Sequence, residues 1–513
     1  MRVRNRLPLL AAATLLVLTA CSSSSDEAGG ELLEGGNFVV ARTADIDKLD
    51  PHVATAFSTF QTLGLVFDTL TDLDKQLEPE PSLAESYEYS PDGRTLTFAL
   101  RDGVTFHDGS ELDSADVVAS LERILDEKTG AVARSNFLSI EKVEAPDPLT
   151  VSLKLSQPDS SLPTALTTVN AAIVPAEAID DESIAKQPVG SGPFEFGEWK
   201  QGESVSLEAN KEFWGEGPFV DSVEFRVVPE ESSILSGMQA NQFQLGVLTD
   251  PQVATQVADG GELTLQRIPA IDYHALMLNG RRPPLDEPEV RQAIACAIDR
   301  QEVVDSAALG EGEVAGPITS PAYRSDPAAG LPCDPPDADA AKQLLDDAGY
   351  GDGFSIETIV MTGGYATAVD EGQALKSQLA EIGVELETTS LESSVYVERW
   401  LEADFDAAVA LNGGLPDPYL MYGRYFTTEA SLSGPAGLTD PDLSRLLEEG
   451  RAETDDDARA EIFDEFSQEM LETSPWAWLF TSYNYRLVSG SVEGFEEEPS
   501  GALDSIAKAR LRE

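Results

Sequence analysis

Two stretches carry residue types that could build a nucleophile. Ser183-Ile184-Ala185-Lys186 matches the S-x-x-K pattern of penicillin-recognising enzymes, and Lys128-Thr129-Gly130 matches their K-T-G pattern. Those enzymes carry S-x-x-K first and K-T-G last, whereas here the order is reversed. Lys128-Thr129-Gly130 also reads as the frayed end of a helix with glycine as its cap. G-x-S-x-G, G-x-G-x-x-G and Walker A patterns do not occur. Hydrolysis needs a nucleophile beside a base, so no catalytic residue is assigned and the chain is read as a non-enzyme. The three histidines, His52, His107 and His274, stand far apart. No side-chain zinc or nickel site and no cofactor is expected from them.

The three cysteines divide by position. Cys21 closes an N-terminal segment in which Arg2, Arg4 and Arg6 precede an apolar run from Leu7 to Ala20. That run falls short of the roughly 20 apolar residues of a spanning helix, and with its basic start it reads as a secretory signal over residues 1–20. Leu18-Thr19-Ala20-Cys21 resembles the lipobox of bacterial lipoproteins, which would make Cys21 the lipidated mature N-terminus. Residues 21–36 follow as a Ser-, Gly- and acid-rich tether with a reach of about 20 Å. Outside the cell the remaining thiols, Cys296 and Cys333, are expected to pair, with two buried free thiols as the alternative. Closing that loop would contribute about 4 kcal/mol on the chain-entropy model.

The chain has 513 residues and a net charge of −58, and removal of the signal takes away three arginines and no acids. Such a surface repels nucleic acid and anionic lipid, which excludes both as partners. Steering of a cationic ligand is one reading of that charge, and a general solvating shell is the simpler one. The length is ample for two or three cores.

Strands and helices alternate throughout, which implies α/β layers. Phe38-Val39-Val40-Ala41 reads as a buried opening strand. Thr95 to Leu100 is a strand after the turn Pro91-Asp92-Gly93. Asp113 is the N-cap of a helix whose apolar face is Val117, Val118, Leu121, Ile124 and Leu125. Pro288 opens another helix. Ile356 to Met361, a helix through Leu375, Leu379 and Ile382, and Val384 to Glu387 form a βαβ unit. A long helix runs from Asp455 to Thr473, and aromatic strands at Trp476–Thr481 and Tyr485–Val488 close the chain.

Six segments, in order, resemble the extracellular solute-binding proteins of family 5, the peptide- and nickel-type receptors of ABC importers. They begin with Leu49-Asp50-Pro51-His52 and Phe67-Asp68-Thr69-Leu70. Next come Phe106-His107-Asp108-Gly109 with Ala115-Asp116-Val117-Val118 and Ser120-Leu121-Glu122-Arg123, then Pro188-Val189-Gly190-Ser191-Gly192-Pro193-Phe194. Asn210-Lys211-Glu212-Phe213-Trp214 and Val290-Arg291-Gln292-Ala293-Ile294 with Ile298-Asp299-Arg300 complete the series. The resemblance implies a two-lobed fold of the periplasmic-binding-protein type, class II, with an extra subdomain on the first lobe. It places lobe I at 37–73, 187–272 and 480–513, the extra subdomain at 74–186, and lobe II at 273–479. It further implies a monomer that closes on a peptide or other small solute and delivers it to permease and ATPase subunits. A nickel chelate or small saccharide is the alternative cargo.

In peptide-binding members an aspartate of the second lobe holds the ligand's amino group. Asn412-Gly413-Gly414-Leu415-Pro416-Asp417-Pro418-Tyr419 resembles its segment, which puts that carboxylate at Asp417, with Gly414 beside it; alternatively Asp417-Pro418 merely starts a turn. Dipeptide receptors carry an arginine between the strand and helix of the βαβ unit. Here Met361-Thr362-Gly363-Gly364-Tyr365-Ala366-Thr367 has no basic residue, so ligands longer than dipeptides are expected, with Tyr365 as a contact. Asp45 and Ile46 are candidate cleft-wall residues, and Tyr419, Trp400 and Trp478 are aromatic candidates.

Overall fold

The computed structural model describes residues 32–180, 183–257, 261–428 and 430–512. The segment expected to be a signal, Cys21 as its expected lipidation site, and most of the expected tether lie outside these residues. No helix among the described residues is long and apolar enough to cross a membrane.

The opening apolar run forms the strand Asn37–Arg42, buried from Phe38 onward. Strand residues buried on both faces favour the middle of a sheet. Accordingly, Asn37–Arg42 runs parallel to Ser222–Val227 on one side and to Leu245–Leu248 on the other. Leu263–Pro269, Tyr483–Ser489, Ser204–Ala209 and Phe194–Lys200 complete a seven-stranded sheet.

A second, six-stranded sheet is built around the βαβ unit. Phe354–Thr362 and Val384–Glu392 pair in parallel over their whole length, joined by the helix Ala368–Ala380. Gly383 makes the return at φ +85°, a backbone angle that favours glycine. Ala407–Asn412, Tyr273–Leu278, Trp476–Thr481 and Glu313–Val314 extend this sheet. Its outer face packs on a cluster in which Tyr273, Tyr422, Tyr425, Trp476 and Trp478 are buried together with Phe463 and Phe466 of the helix Asp456–Thr473.

A four-stranded antiparallel sheet, Ala84–Tyr89, Thr95–Leu100, Thr150–Leu155 and Ile140–Asp147, has a core of its own. The helix Ser114–Leu125 packs on it through Val117, Leu121 and Ile124. Asp113 caps this helix by accepting from the Ala115 amide, and Asp116 reaches back to the Asp113 amide, which satisfies donors the helix cannot satisfy itself. Proline at the start of Pro288–Ala297 loses no hydrogen bond, because its position lacks a helical acceptor.

Cys296 and Cys333 are joined as a disulfide, with Cα atoms 4.8 Å apart and a sequence separation of 37. Cys296 lies in the core of the six-stranded body, so the bridge pins the segment before the helix Ala338–Asp347 against Pro288–Ala297. Replacing both cysteines with alanine is expected to lower unfolding stability by about 4 kcal/mol, the chain-entropy value for a loop of this length. Denaturant titration of the oxidised protein against the double variant measures this. Unchanged stability, or two titratable thiols in the native protein, would refute it.

Candidate functional site

The chain passes between the two large sheets twice, once between Pro269 and Tyr273 and once between Thr481 and Tyr483. Asp272 fastens the two crossings together. Its Oδ1 accepts from the Ser482 amide and the Thr481 hydroxyl, each at 3.0 Å, and the Ser482 hydroxyl donates to Oδ2. The Ala270 amide adds a bond to the Ser482 carbonyl at 2.8 Å. Gly414 passes so close to this bundle that a Cβ there would stand 1.4 Å from the Ile271 carbonyl oxygen. No side chain fits at that position.

A cavity of about 270 Å³ lies against the crossings. Thr249 and Tyr485 border it from the seven-stranded body, Gly364 to Thr367 from the βαβ loop, His274 and Phe480 from strands of the six-stranded body, and Asp272 from the crossing itself. Beneath it sits a buried polar group. His274 occupies a strand, Tyr273–Leu278, that is buried throughout. Its Nδ1 is 2.9 Å from Glu371 Oε1, which also accepts from the Thr367 hydroxyl at 2.5 Å. Phe480 stacks on the imidazole at 4.0 Å, and Tyr365 meets it edge-on at 5.5 Å. His274 Nε2, Glu371 Oε2 and the Tyr365 hydroxyl are buried without a partner. Burial alone would depress the His274 pKa, but the charge and hydrogen bond of Glu371 outweigh it and hold the imidazole above its ordinary value. A raised histidine stabilises the fold fully below its unfolded value of 6.5, and that contribution fades as pH climbs through the folded value.

The candidate residues named from sequence divide sharply. Tyr365 borders the cavity. Asp417 does not: its carboxylate is fully buried. Oδ1 caps the helix Pro418–Phe426, accepting from the amides of Tyr419 at 2.8 Å and Leu420 at 3.2 Å. Oδ2 is 2.5 Å from Arg459 Nη2 and accepts from the Tyr323 hydroxyl at 3.1 Å. An amine anchor needs an accessible oxygen, and in this geometry both are committed within the protein; of the two sequence readings, it is the turn that the contacts match.

Asp45 accepts from the Trp199 indole at 3.0 Å and the Gly202 amide at 2.7 Å, holding the hairpin between Phe194–Lys200 and Ser204–Ala209. Ile46 is buried in the core of the seven-stranded body. Trp478 is buried too and donates to the Tyr422 hydroxyl. Trp400 packs edge-on against Tyr425 and directs its indole at the Met277 sulfur. Each of these four is engaged within the protein, and none borders the cavity.

Tyr419 lies where the six-stranded body meets the four-stranded one. Its hydroxyl accepts from Arg451 Nη1 at 2.8 Å, and Arg451 Nη2 reaches across to Asp159 at 3.0 Å. The Ser160 amide donates to the Arg451 carbonyl at 2.8 Å. Together these form a clasp between the two bodies.

The other histidines are structural as well. His52 Nε2 bonds the Ala172 carbonyl and Nδ1 faces Arg123, which pairs with Asp50. Burial, then Arg123, pushes His52 down to about 4. His107 bonds the backbone of Gly192 and Gly190. Lys128 and Thr129 lie in a short turn that Gly130 caps at φ +65°. Among the described residues no group of three His, Cys, Asp or Glu side chains could hold a metal ion.

Sequence reasoning left His274 and Glu371 out of the site. The available signal was a single titratable residue inside an otherwise apolar, buried strand, since an unpaired buried charge is costly and calls for a partner.

Comparison with known proteins fits this architecture. The model of bacterial extracellular solute-binding proteins, family 5, matches residues 78–432. The glutathione-binding protein GsiB of Salmonella paratyphi A is 30% identical over 379 residues, covering 73% of each chain. The oligopeptide-binding protein AppA of Bacillus subtilis is 27% identical, covering 98% of this chain and 99% of its own. The crystal structure of the ABC transporter substrate-binding protein CtaP of Listeria monocytogenes superposes with a TM-score of 0.84 at 24% identity. That match covers 94% of this chain and all of the other.

The environment of Asp417 gives a direct test. Removing one partner of a buried ion pair strands the other, at a cost of about 3–5 kcal/mol. Asp417→Ala is therefore expected to lower thermal stability markedly while its folded fraction keeps wild-type ligand affinity. Calorimetric scanning and titration together decide this. Wild-type stability with lost affinity would restore Asp417 as a ligand contact.

Proposed function

The chain belongs to the bacterial extracellular solute-binding proteins of family 5, and on that premise we propose that it captures peptides longer than dipeptides for an ABC importer. The cavity at the crossings carries the proposal, because residues of both large sheets border one space. A solute there touches both bodies only when they are together, so binding favours the closed arrangement. On this reading 37–73, 187–272 and 480–513 make lobe I, 74–186 its extra subdomain, and 273–479 lobe II.

Peptide is favoured as cargo by the names of the relatives, a glutathione-binding and an oligopeptide-binding protein. Length beyond two residues is favoured by the stretch 361–367, which carries no arginine to fix a short C-terminus. We place the mature protein on the outer face of the cell membrane as a monomer held by a lipid on Cys21, with the permease and ATPase subunits as partners. It performs no catalysis. Mass spectrometry of solute released from the purified protein tests the cargo, and recovery of a saccharide or a metal chelate in place of peptide would overturn it.

The clasp supplies a second test. Asp159 and Arg451 lie outside the residues that border the cavity, so they act on closure alone. Losing a partly buried charge-assisted bond is worth about 1.5–3 kcal/mol. Arg451→Ala is thus expected to weaken peptide binding about tenfold with little change in the bound peptide's identity. Titration calorimetry reads this, and unaltered affinity would remove the clasp from the closing mechanism.

A further inference from the structure

Resting on the peptide reading above, we propose that His274 is the residue that receives a carboxylate of the ligand, through Nε2. The site is built for this from three sides. Glu371, on the helix Ala368–Ala380, holds Nδ1 at 2.9 Å and so fixes which nitrogen remains for a ligand. Phe480 covers one face of the ring at 4.0 Å, and Tyr365 meets it edge-on. The side chain is 2% exposed, and Nε2 has no protein partner. His274 nonetheless borders the cavity, as do Tyr365 and Asp272.

Charge decides what Nε2 offers. A Glu371 carboxylate sealed from water, bonded to Thr367 and His274 and lying close to the Tyr365 hydroxyl, is best balanced by a countercharge. Protonation of the imidazole supplies it and turns Nε2 into an N–H donor. A buried donor without an acceptor is costly, and a carboxylate oxygen meets that need with a charge-assisted bond. Among the described residues no lysine or arginine borders the cavity, so His274 is the basic side chain available there. The groups facing it are Glu371, Tyr365 and, from the crossing, Asp272. Asp272 is already occupied by Thr481 and Ser482.

The carboxylate can be a peptide's C-terminus or an acidic side chain, and the experiment separates the two. The mature protein is equilibrated with a mixture of free-acid peptides of about three to nine residues and with the same mixture C-terminally amidated. Retained species are read by mass spectrometry. About a tenfold preference for free acids is expected, the size of one charge-assisted bond, and the folded His274→Gln variant should lose it. A preference confined to amidated peptides that contain Asp or Glu would support the side-chain source.

The preference should also fall as pH rises through the raised pKa of His274, since the neutral imidazole no longer donates from Nε2. The chain has only three histidines, so nitrogen resonances of the labelled wild-type protein report on Nε2 without any substitution. Its signal should move with free-acid peptides and stay in place with uncharged amides. Retention of peptides with no preference for a carboxylate, or a His274 resonance indifferent to it, overturns this assignment and leaves the peptide reading standing. Retention of no peptide at all overturns both.

Discussion

Everything at the centre of this molecule depends on how two peptide segments cross side by side from one sheet to the other. Asp272 is the fastening. Its carboxylate takes the amide and hydroxyl of Ser482 and the hydroxyl of Thr481, so the outgoing and returning chains are tied at one point. Strand Tyr273–Leu278 leaves that point between Ala407–Asn412 and Trp476–Thr481. Tyr483–Ser489 leaves it in the opposite direction, between Leu245–Leu248 and Leu263–Pro269. The cavity lies against these two departing strands and the βαβ loop. Gly414 belongs to the same constraint, because its missing side chain lets a loop of the second body lie on the Ile271 carbonyl. Position of the bodies and shape of the site are thus set together.

Around this centre the fold buries several ion pairs. Arg459 with Asp417, Arg486 with Glu497, and His274 with Glu371 each have both side chains nearly sealed from water. Such pairs add little net stability, since desolvation offsets most of their attraction. Their effect is on geometry. The Arg459 pair sets the start of the helix Pro418–Phe426, whose first turn carries Tyr419 into the clasp. Glu497 is driven up to about 7 by burial, against the opposing pull of Arg486, which leaves that pair sensitive to mild changes of pH. The His274 pair differs in one respect: it retains an unsatisfied nitrogen beside a cavity.

Local features were legible in the sequence. The cap at Asp113, the proline start at Pro288 and the βαβ unit with its glycine return are determined by neighbours a few residues away, and each appears where the pattern put it. The site was less legible because its logic is long-range. The segment of Asp417 supports both an amine anchor and the start of a turn, and its partner, Arg459, lies 42 residues downstream, beyond what either local reading contains. Asp45 read as a cleft wall, yet the indole that claims it belongs to Trp199, 154 residues away. Trp478 is an aromatic of the core, and composition alone does not separate core from cleft. His274 was visible as an isolated histidine, but only the fold brings Glu371 to its Nδ1.

A ligand carboxylate at His274 has to be reconciled with a chain of net charge −58. The two facts act over different distances. Of the acids only Glu311 and Asp272 border the cavity among the described residues, and Asp272 is already tied to Thr481 and Ser482; the exposed ones lie elsewhere, and at physiological salt their field decays over about 8 Å. They shape approach and solubility more than the bound state. Inside, where His274 and Glu371 are sealed from water, screening is weak and a single imidazolium counts for far more than a distant carboxylate. A free peptide is itself a zwitterion, so its ammonium offsets the repulsion its carboxylate meets on the way in. The acidic shell therefore selects against polyanions as a class, while the discrimination among peptides falls to one buried nitrogen and the shape of the space before it.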